Sequence, residues 1–148
     1  MQQIYSSFEG FTDDCKVWVY LADRKLESKE IFEINQELSV FVSSWETHGK
    51  KLRAAHALFF DYFVVFVVDE KEQTISGCSI DKSFHLMKHL GEKFQVDFFK
   101  RMNVLCKEGE GFAIQPYHLV KKKTSISYFN PMISNLGELR QNWIIEQG

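Results

Sequence analysis

Residues 62–68, Tyr-Phe-Val-Val-Phe-Val-Val, are seven consecutive apolar residues that are all β-branched or aromatic. A run this short and this rich in Val and Phe predicts a strand, and a strand with no polar face belongs in the centre of a sheet. A second apolar run, residues 52–60, precedes it. Asp61 is the only strongly turn-favouring residue between the two, so they predict a hairpin.

Residues 16–22 predict the first strand, with Val17, Val19 and Leu21 on one face and Trp18 and Tyr20 on the other. Ser28 offers an N-cap to a helix on which Ile31, Ile34, Leu38, Phe41, Val42 and Trp45 form one stripe, ending near Gly49. After the polar stretch 69–76, Gly77-Cys78-Ser79-Ile80-Asp81 opens a second helix with Ile80, Phe84, Met87 and Phe94 inward and Gly91 on the same stripe. Residues 102–106 and 112–119, separated by Lys107-Glu-Gly-Glu-Gly111, predict another hairpin. A last helix is expected from Asn130-Pro131, with Pro in the first turn and Ile133, Leu136, Leu139 and Trp143 on its apolar side.

The order β-α-β-β-α-β-β-α predicts an α+β fold with a ferredoxin-like split β-α-β sheet, in one domain over residues 1–148. Two helices cover one sheet face in that arrangement and leave the other open. Trp18 and Tyr20, which alternate with the aliphatic face, are expected on the second side, under the C-terminal helix or a partner in a homodimer.

Composition narrows the partners. The 18 Lys and Arg against 20 Asp and Glu give a formal net charge of −2, which supplies no global attraction for nucleic acid. Lys121-Lys-Lys123 reads as a solvated loop, and residues 61–68 carry neither the basic residue nor the glycine of RNA-recognition sheets. No nucleic-acid or membrane partner is expected. The three cysteines, Cys15, Cys78 and Cys106, form no CxxC pair, and the first ten residues show no signal peptide, so the expected location is the cytoplasm.

Residues 63–70 have the form of a Walker B strand, which invites an ATPase label. Nucleotide hydrolysis of that type needs a GxxxxGK[ST] cradle, whose amides and lysine hold the phosphates and whose hydroxyl ligates magnesium. The only Gly-Lys pair, Gly49-Lys50, has Ser44 where the first glycine is required and Lys51 where the hydroxyl is required. No functional ABC-type ATPase, and no cofactor, is expected.

The Gly77 to Asp81 motif offers more. Glycine permits close approach to the backbone, and free amides at a helix N-terminus attract anions and favour a thiolate at Cys78. A small anionic ligand there would meet Gly77, Cys78, Ser79 and Asp81, with Arg24, Trp18 and His48 completing the site. A cysteine enzyme would use Cys78 as nucleophile, with His48, His56 and Asp81 as candidates for base and orienting group. The plainer alternative makes Cys78 or Ser79 an N-cap and Gly77 an entry turn. Asp81, His85 and His89 are spaced i, i+4, i+8, but successive steps drift around the helix, so they read as a polar outer face and no metal site is expected.

Val17-Trp18-Val19-Tyr20 with Arg24, Trp45-x-x-His48-Gly49 with Leu52 and Ala54, Val68-Asp69-Glu70, Gly77-Cys-Ser-Ile-Asp81-Lys-Ser83, Asp97 and Arg101-Met-Asn-Val104 together resemble a family of short uncharacterised bacterial proteins. The likeness covers nearly the whole chain. Members often carry the name "ABC transporter ATPase". The resemblance implies a cytoplasmic single-domain protein and transfers no catalytic residue. Three functions are therefore carried forward: a binder of a small anionic ligand, a cysteine-dependent enzyme, and a dimeric interaction protein.

Overall fold

The computed structural model describes residues 8–123 and 125–147. Strand β1 (Lys16–Leu21) leads into helix α1 (Ser28–Ser43), then the two-residue strands β2 (Glu46–Thr47) and β3 (Lys50–Lys51). Strands β4 (Arg53–Phe59) and β5 (Phe63–Asp69) form the expected hairpin, followed by helix α2 (Gly77–Phe94). The remainder is β6 (Asn103–Glu108), β7 (Gly111–Pro116), α3 (Tyr117–Val120), β8 (Tyr128–Phe129), α4 (Leu136–Asn142) and β9 (Ile144–Ile145). Helices and antiparallel sheets make this an α+β fold. Among the described residues no helix is long and apolar enough to cross a membrane.

The apolar run is the central strand. Strand β5 sits between β1 and β4, antiparallel to both, and residues 63–68 are buried along their whole length. The turn before it places Phe60 and Asp61 at φ 59° and 67°, and Tyr62 N–H donates to Phe59 O at 3.1 Å. Val64, Phe66 and Val68 project into one cluster with Ile34 and Leu38 of α1 and Met87 and Leu90 of α2. Phe63, Val65 and Val67 project into a second cluster with Leu105, Phe129, Leu136, Leu139 and Trp143. Period-2 geometry thus gives one strand two cores.

A ferredoxin-like sheet would set a fourth strand beside β1. The first sheet instead stops at three strands, and β6 joins a separate sheet in the order β7-β6-β8-β9. The face of Trp18 and Tyr20 is also corrected. These aromatics pack with the α1/α2 cluster, where Tyr20 meets Phe66 and Phe99 edge-on at 6.1 and 5.8 Å. The C-terminal helix covers the other face, with Val17, Val19 and Leu21.

Three local expectations change as well. Helix α1 ends at Ser43, and Trp45 to Gly49 belong to a small hairpin rather than a helix end. His48 and Gly49 lie at φ 52° and 76°, the pair of left-handed residues that closes a tight two-residue hairpin. Buried α2 residues are Ser79, Ser83, Met87 and Leu90, with Ile80, Phe84 and Phe94 only partly covered, and the two serines are accommodated because their hydroxyls donate to Glu46 O and Ile80 O. The last helix starts at Leu136, where Asn135 caps it and exchanges a capping box with Glu138. Asn130 and Pro131 form a turn instead, in which Asn130 Oδ1 accepts from Met132 N–H at 2.9 Å.

Candidate functional site

Candidate binding features lie at the N-terminal end of α2 and along the outer edge of β1. At the first, the N-cap is Ser76, one residue before the expected entry glycine, and its Oγ accepts from Ser79 N–H at 3.1 Å. Gly77 is the first helical residue and Cys78 is exposed beside it. The β2–β3 hairpin is latched onto this turn. Ser76 N–H donates to Thr47 Oγ1 at 3.1 Å, Thr47 Oγ1 donates to Thr74 O at 3.2 Å, and Ser79 Oγ donates to Glu46 O. Trp45 Nε1 donates to Ser79 O at 2.9 Å. The Trp45-x-x-His48-Gly49 and Gly-Cys-Ser-Ile-Asp motifs therefore meet in space, and much of what joins them is structural bonding among buried Trp45, Thr47 and Ser79.

The remaining predicted site residues are distributed. Arg24 makes a two-pronged pair with Glu30, at 2.8 and 2.7 Å, and also donates to Phe94 O at 2.7 Å. Phe94 closes α2 and Cys78 lies in its first turn, a separation of 16 residues or roughly 24 Å of helix, so Arg24 stands at the opposite end from the thiol. The Arg24 guanidinium holds the Glu30 carboxyl down at about 2. His56 lies on β4, its Nε2 2.9 Å from Asn35 Oδ1, and burial lowers its pKa. No hydrogen bond or ion pair among the described residues joins Cys78 to His48, His56 or Asp81. No group of three or more His, Cys, Asp or Glu side chains among them is arranged to hold a metal ion.

The Walker B-like acids are committed elsewhere. Asp69 accepts from Lys71 N–H at 2.9 Å and lies 3.5 Å from Arg53, while Glu70 accepts from Ile75 N–H at 2.9 Å and pairs with Lys16 at 2.9 Å.

The second place is a groove of about 570 Å³ along the edge of β1, where a ferredoxin-like sheet would carry its fourth strand. Trp18 is the one predicted ligand residue that lines it. One wall comes from residues 98–103 and the other from 130–133, with Met102 and Met132 on them 70% and 72% exposed. Among the described residues the lining contains no Asp, Glu, His, Cys, Ser or Thr. Its cations are Lys100, which pairs with Asp23 at 3.2 Å, and exposed Arg101, which has no ion pair among the described residues. Burial raises the Tyr20 hydroxyl's pKa, against a bond to Ser83 and the positive charge of Arg101.

Sequence reasoning missed this groove because its walls come from segments far apart in the chain. The available signal was Arg101-Met102 immediately before a strand, beside an edge strand without Lys or Pro in its second half. Comparison with known protein families, with curated proteins and with solved structures finds no match.

Proposed function

We propose that this protein binds an anionic ligand in the groove along β1 and performs no chemistry on it. The observation that carries the reading is a groove of about 570 Å³ whose lining, among the described residues, includes an Arg101 guanidinium without an ion pair and no acidic residue. That volume is ordinary for ligand sites, which are mostly apolar with a few placed polar groups. Exposed methionines on both walls suit adaptable binding, since the thioether side chain is flexible and polarizable. Catalysis is disfavoured by the absence of any His, carboxylate, thiol or aliphatic hydroxyl in the lining. The anionic ligand first expected at the mouth of α2 is thus assigned to the groove instead. On the same reading no Mg-ATP turnover is expected, because the chain lacks the phosphate loop and the carboxylates of Asp69 and Glu70 are engaged with backbone amides and cations.

Trp18 reports on the groove, because it lines it while Trp45 and Trp143 do not and contribute a constant background emission. Titration with a panel of dicarboxylates, phosphomonoesters and short acidic peptides, followed by tryptophan fluorescence, should give a saturable change with at least one class. Arg101→Glu should weaken it about tenfold or more, and Trp18→Phe should remove the signal. Binding that ignores Arg101→Glu but disappears on alkylation of Cys78 would return the site to α2. A cysteine enzyme is the second reading, favoured by the exposure of Cys78 while the other two cysteines are buried.

A further inference from the structure

Resting on that groove reading, we infer that the ligand is an extended acidic peptide segment that adds to β1 as a fourth strand. In an antiparallel ladder alternate residues turn their backbone groups toward the same neighbour. Ala22 N–H donates to Tyr62 O at 2.8 Å in continuation of the β1–β5 register, so Trp18 and Tyr20 bond to β5. Val17 N–H points the other way, to Ser134 O at 3.1 Å, and Leu136 N–H reaches Cys15 O at 2.9 Å. Residues 134–136 therefore close the outer edge only as far as Val17.

Beyond that point the N–H groups of Val19 and Leu21 and the C=O groups of Val17 and Val19 face away from β5 with no hydrogen-bond partner among the described residues. All five residues from Val17 through Leu21 line the groove. Donors and acceptors that recur every second residue are matched by an extended backbone, and small rigid anions do not reproduce the repeat. The open length is about five residues, roughly 16 Å. Nothing blunts this edge. Residues 17–21 include no Lys, Pro or Gly and no bulge interrupts their pairing with β5.

The recessed position selects among occupants. Phe99 and Met102 on one wall and Met132 and Ile133 on the other flank the edge, so an added strand would lie between them. Side chains of an added strand would alternate between these walls, which calls for apolar residues on both. Charge calls for an Asp or Glu within reach of Arg101, since the lining offers a cation and no anion.

The test selects from a displayed library of random hexapeptides on the full-length protein and measures the recovered peptides by fluorescence anisotropy. Alternating apolar residues with at least one acidic residue are expected. N-methylation of alternate peptide nitrogens should weaken binding about tenfold or more in one register and little in the other, a readout that leaves the protein untouched. Val19→Pro, which removes one outward N–H from an edge position where Pro is tolerated, and Arg101→Glu should each weaken it about tenfold. Peptides that need Arg101 but ignore both N-methylation and Val19→Pro would overturn strand addition and leave the groove reading intact. Failure to recover any peptide dependent on Arg101 would overturn the inference, and if the small-anion titrations also failed, the groove reading with it. Dimerisation in sedimentation that is abolished by Val19→Pro would assign the edge to a second copy and likewise overturn it.

Discussion

Single side chains decide the first two predictions. Cys78 is exposed in the first turn of α2, whereas Cys15 and Cys106 are 3% and 1% exposed, and burial raises the Cys106 thiol's pKa. Limited iodoacetamide treatment should therefore label Cys78 first, and at least tenfold faster than the other two by accessibility alone. Mass spectrometry ranks the sites. Comparable rates at all three would show that the core opens readily, and inert Cys78 across pH 6 to 9 would remove the cysteine-enzyme reading. Glu30 supplies the second prediction. Its carboxyl titrates at about 2 instead of 4.5, chiefly through the paired Arg24 guanidinium, so the native state binds fewer protons than the unfolded chain between those values. The stabilisation is complete above about 4.5 and is lost as pH falls toward 2. Urea midpoints from pH 6 to 2 should fall less steeply in Glu30→Gln, and superimposable slopes would refute the assignment. Its type and its position just beyond the first strand marked Arg24 as an anion partner, and neither could show that Glu30 and Phe94 O already occupy it.

Elements tell which glycines matter. Gly91 lies near the end of α2, where the chain turns back through Gln95 at φ 56° and Val96 N–H returns to Gly91 O at 2.9 Å. A Cβ there would sit 2.5 Å from Val96 O, so Gly91→Ala should destabilise by about 2 kcal/mol as the turn is forced apart. Gly77 has nothing within 4 Å of its would-be Cβ, and Gly77→Ala should be neutral or stabilising by up to about 1 kcal/mol. Chemical denaturation of both variants checks the contrast, and equal costs would contradict the close turn at Val96. These elements were partly legible. The period-2 and 3.6-residue patterns located β1, β4, β5, α1 and α2, but Trp45 continued the α1 stripe and drew Thr47, His48 and Gly49 into a helix they do not join. Asn-Gly or Asp-Gly usually announces such a hairpin, and His48-Gly49 carries the same backbone geometry without that signal. Ser76, Thr47 and Ser79, which bind the hairpin to α2, show no periodicity because the bonds that join them span 27 to 34 residues.

At the scale of the molecule, β5 is the wall between two cores, and its continuous apolar run follows from serving both. Alternation in β1 separated Trp18 and Tyr20 from Val17, Val19 and Leu21, yet a period of two does not say which later segment covers which face. That depends on where residues 128–145 return, and local pattern is silent on it. Their return gives the last prediction. Leu136 and Leu139 are fully buried against the second face, and Trp143 lies 4.7 Å from Phe63 and 5.2 Å from Phe129 between ring centroids. Removing everything after Asn130 would uncover Val65, Val67 and Phe63 together, so the truncated chain should lose its cooperative urea transition. Truncation alone does not separate loss of cover from loss of β9, which pairs with β8. Point variants do. Trp143→Ala should cost about 3–5 kcal/mol and Trp143→Phe distinctly less, because Phe retains the ring contacts and removes a buried indole N–H that has no hydrogen-bond partner among the described residues. A truncated chain that unfolds cooperatively, or a Trp143→Ala cost below about 1 kcal/mol, would show that α1, α2 and the three-stranded sheet form a self-sufficient core and that the second face tolerates exposure.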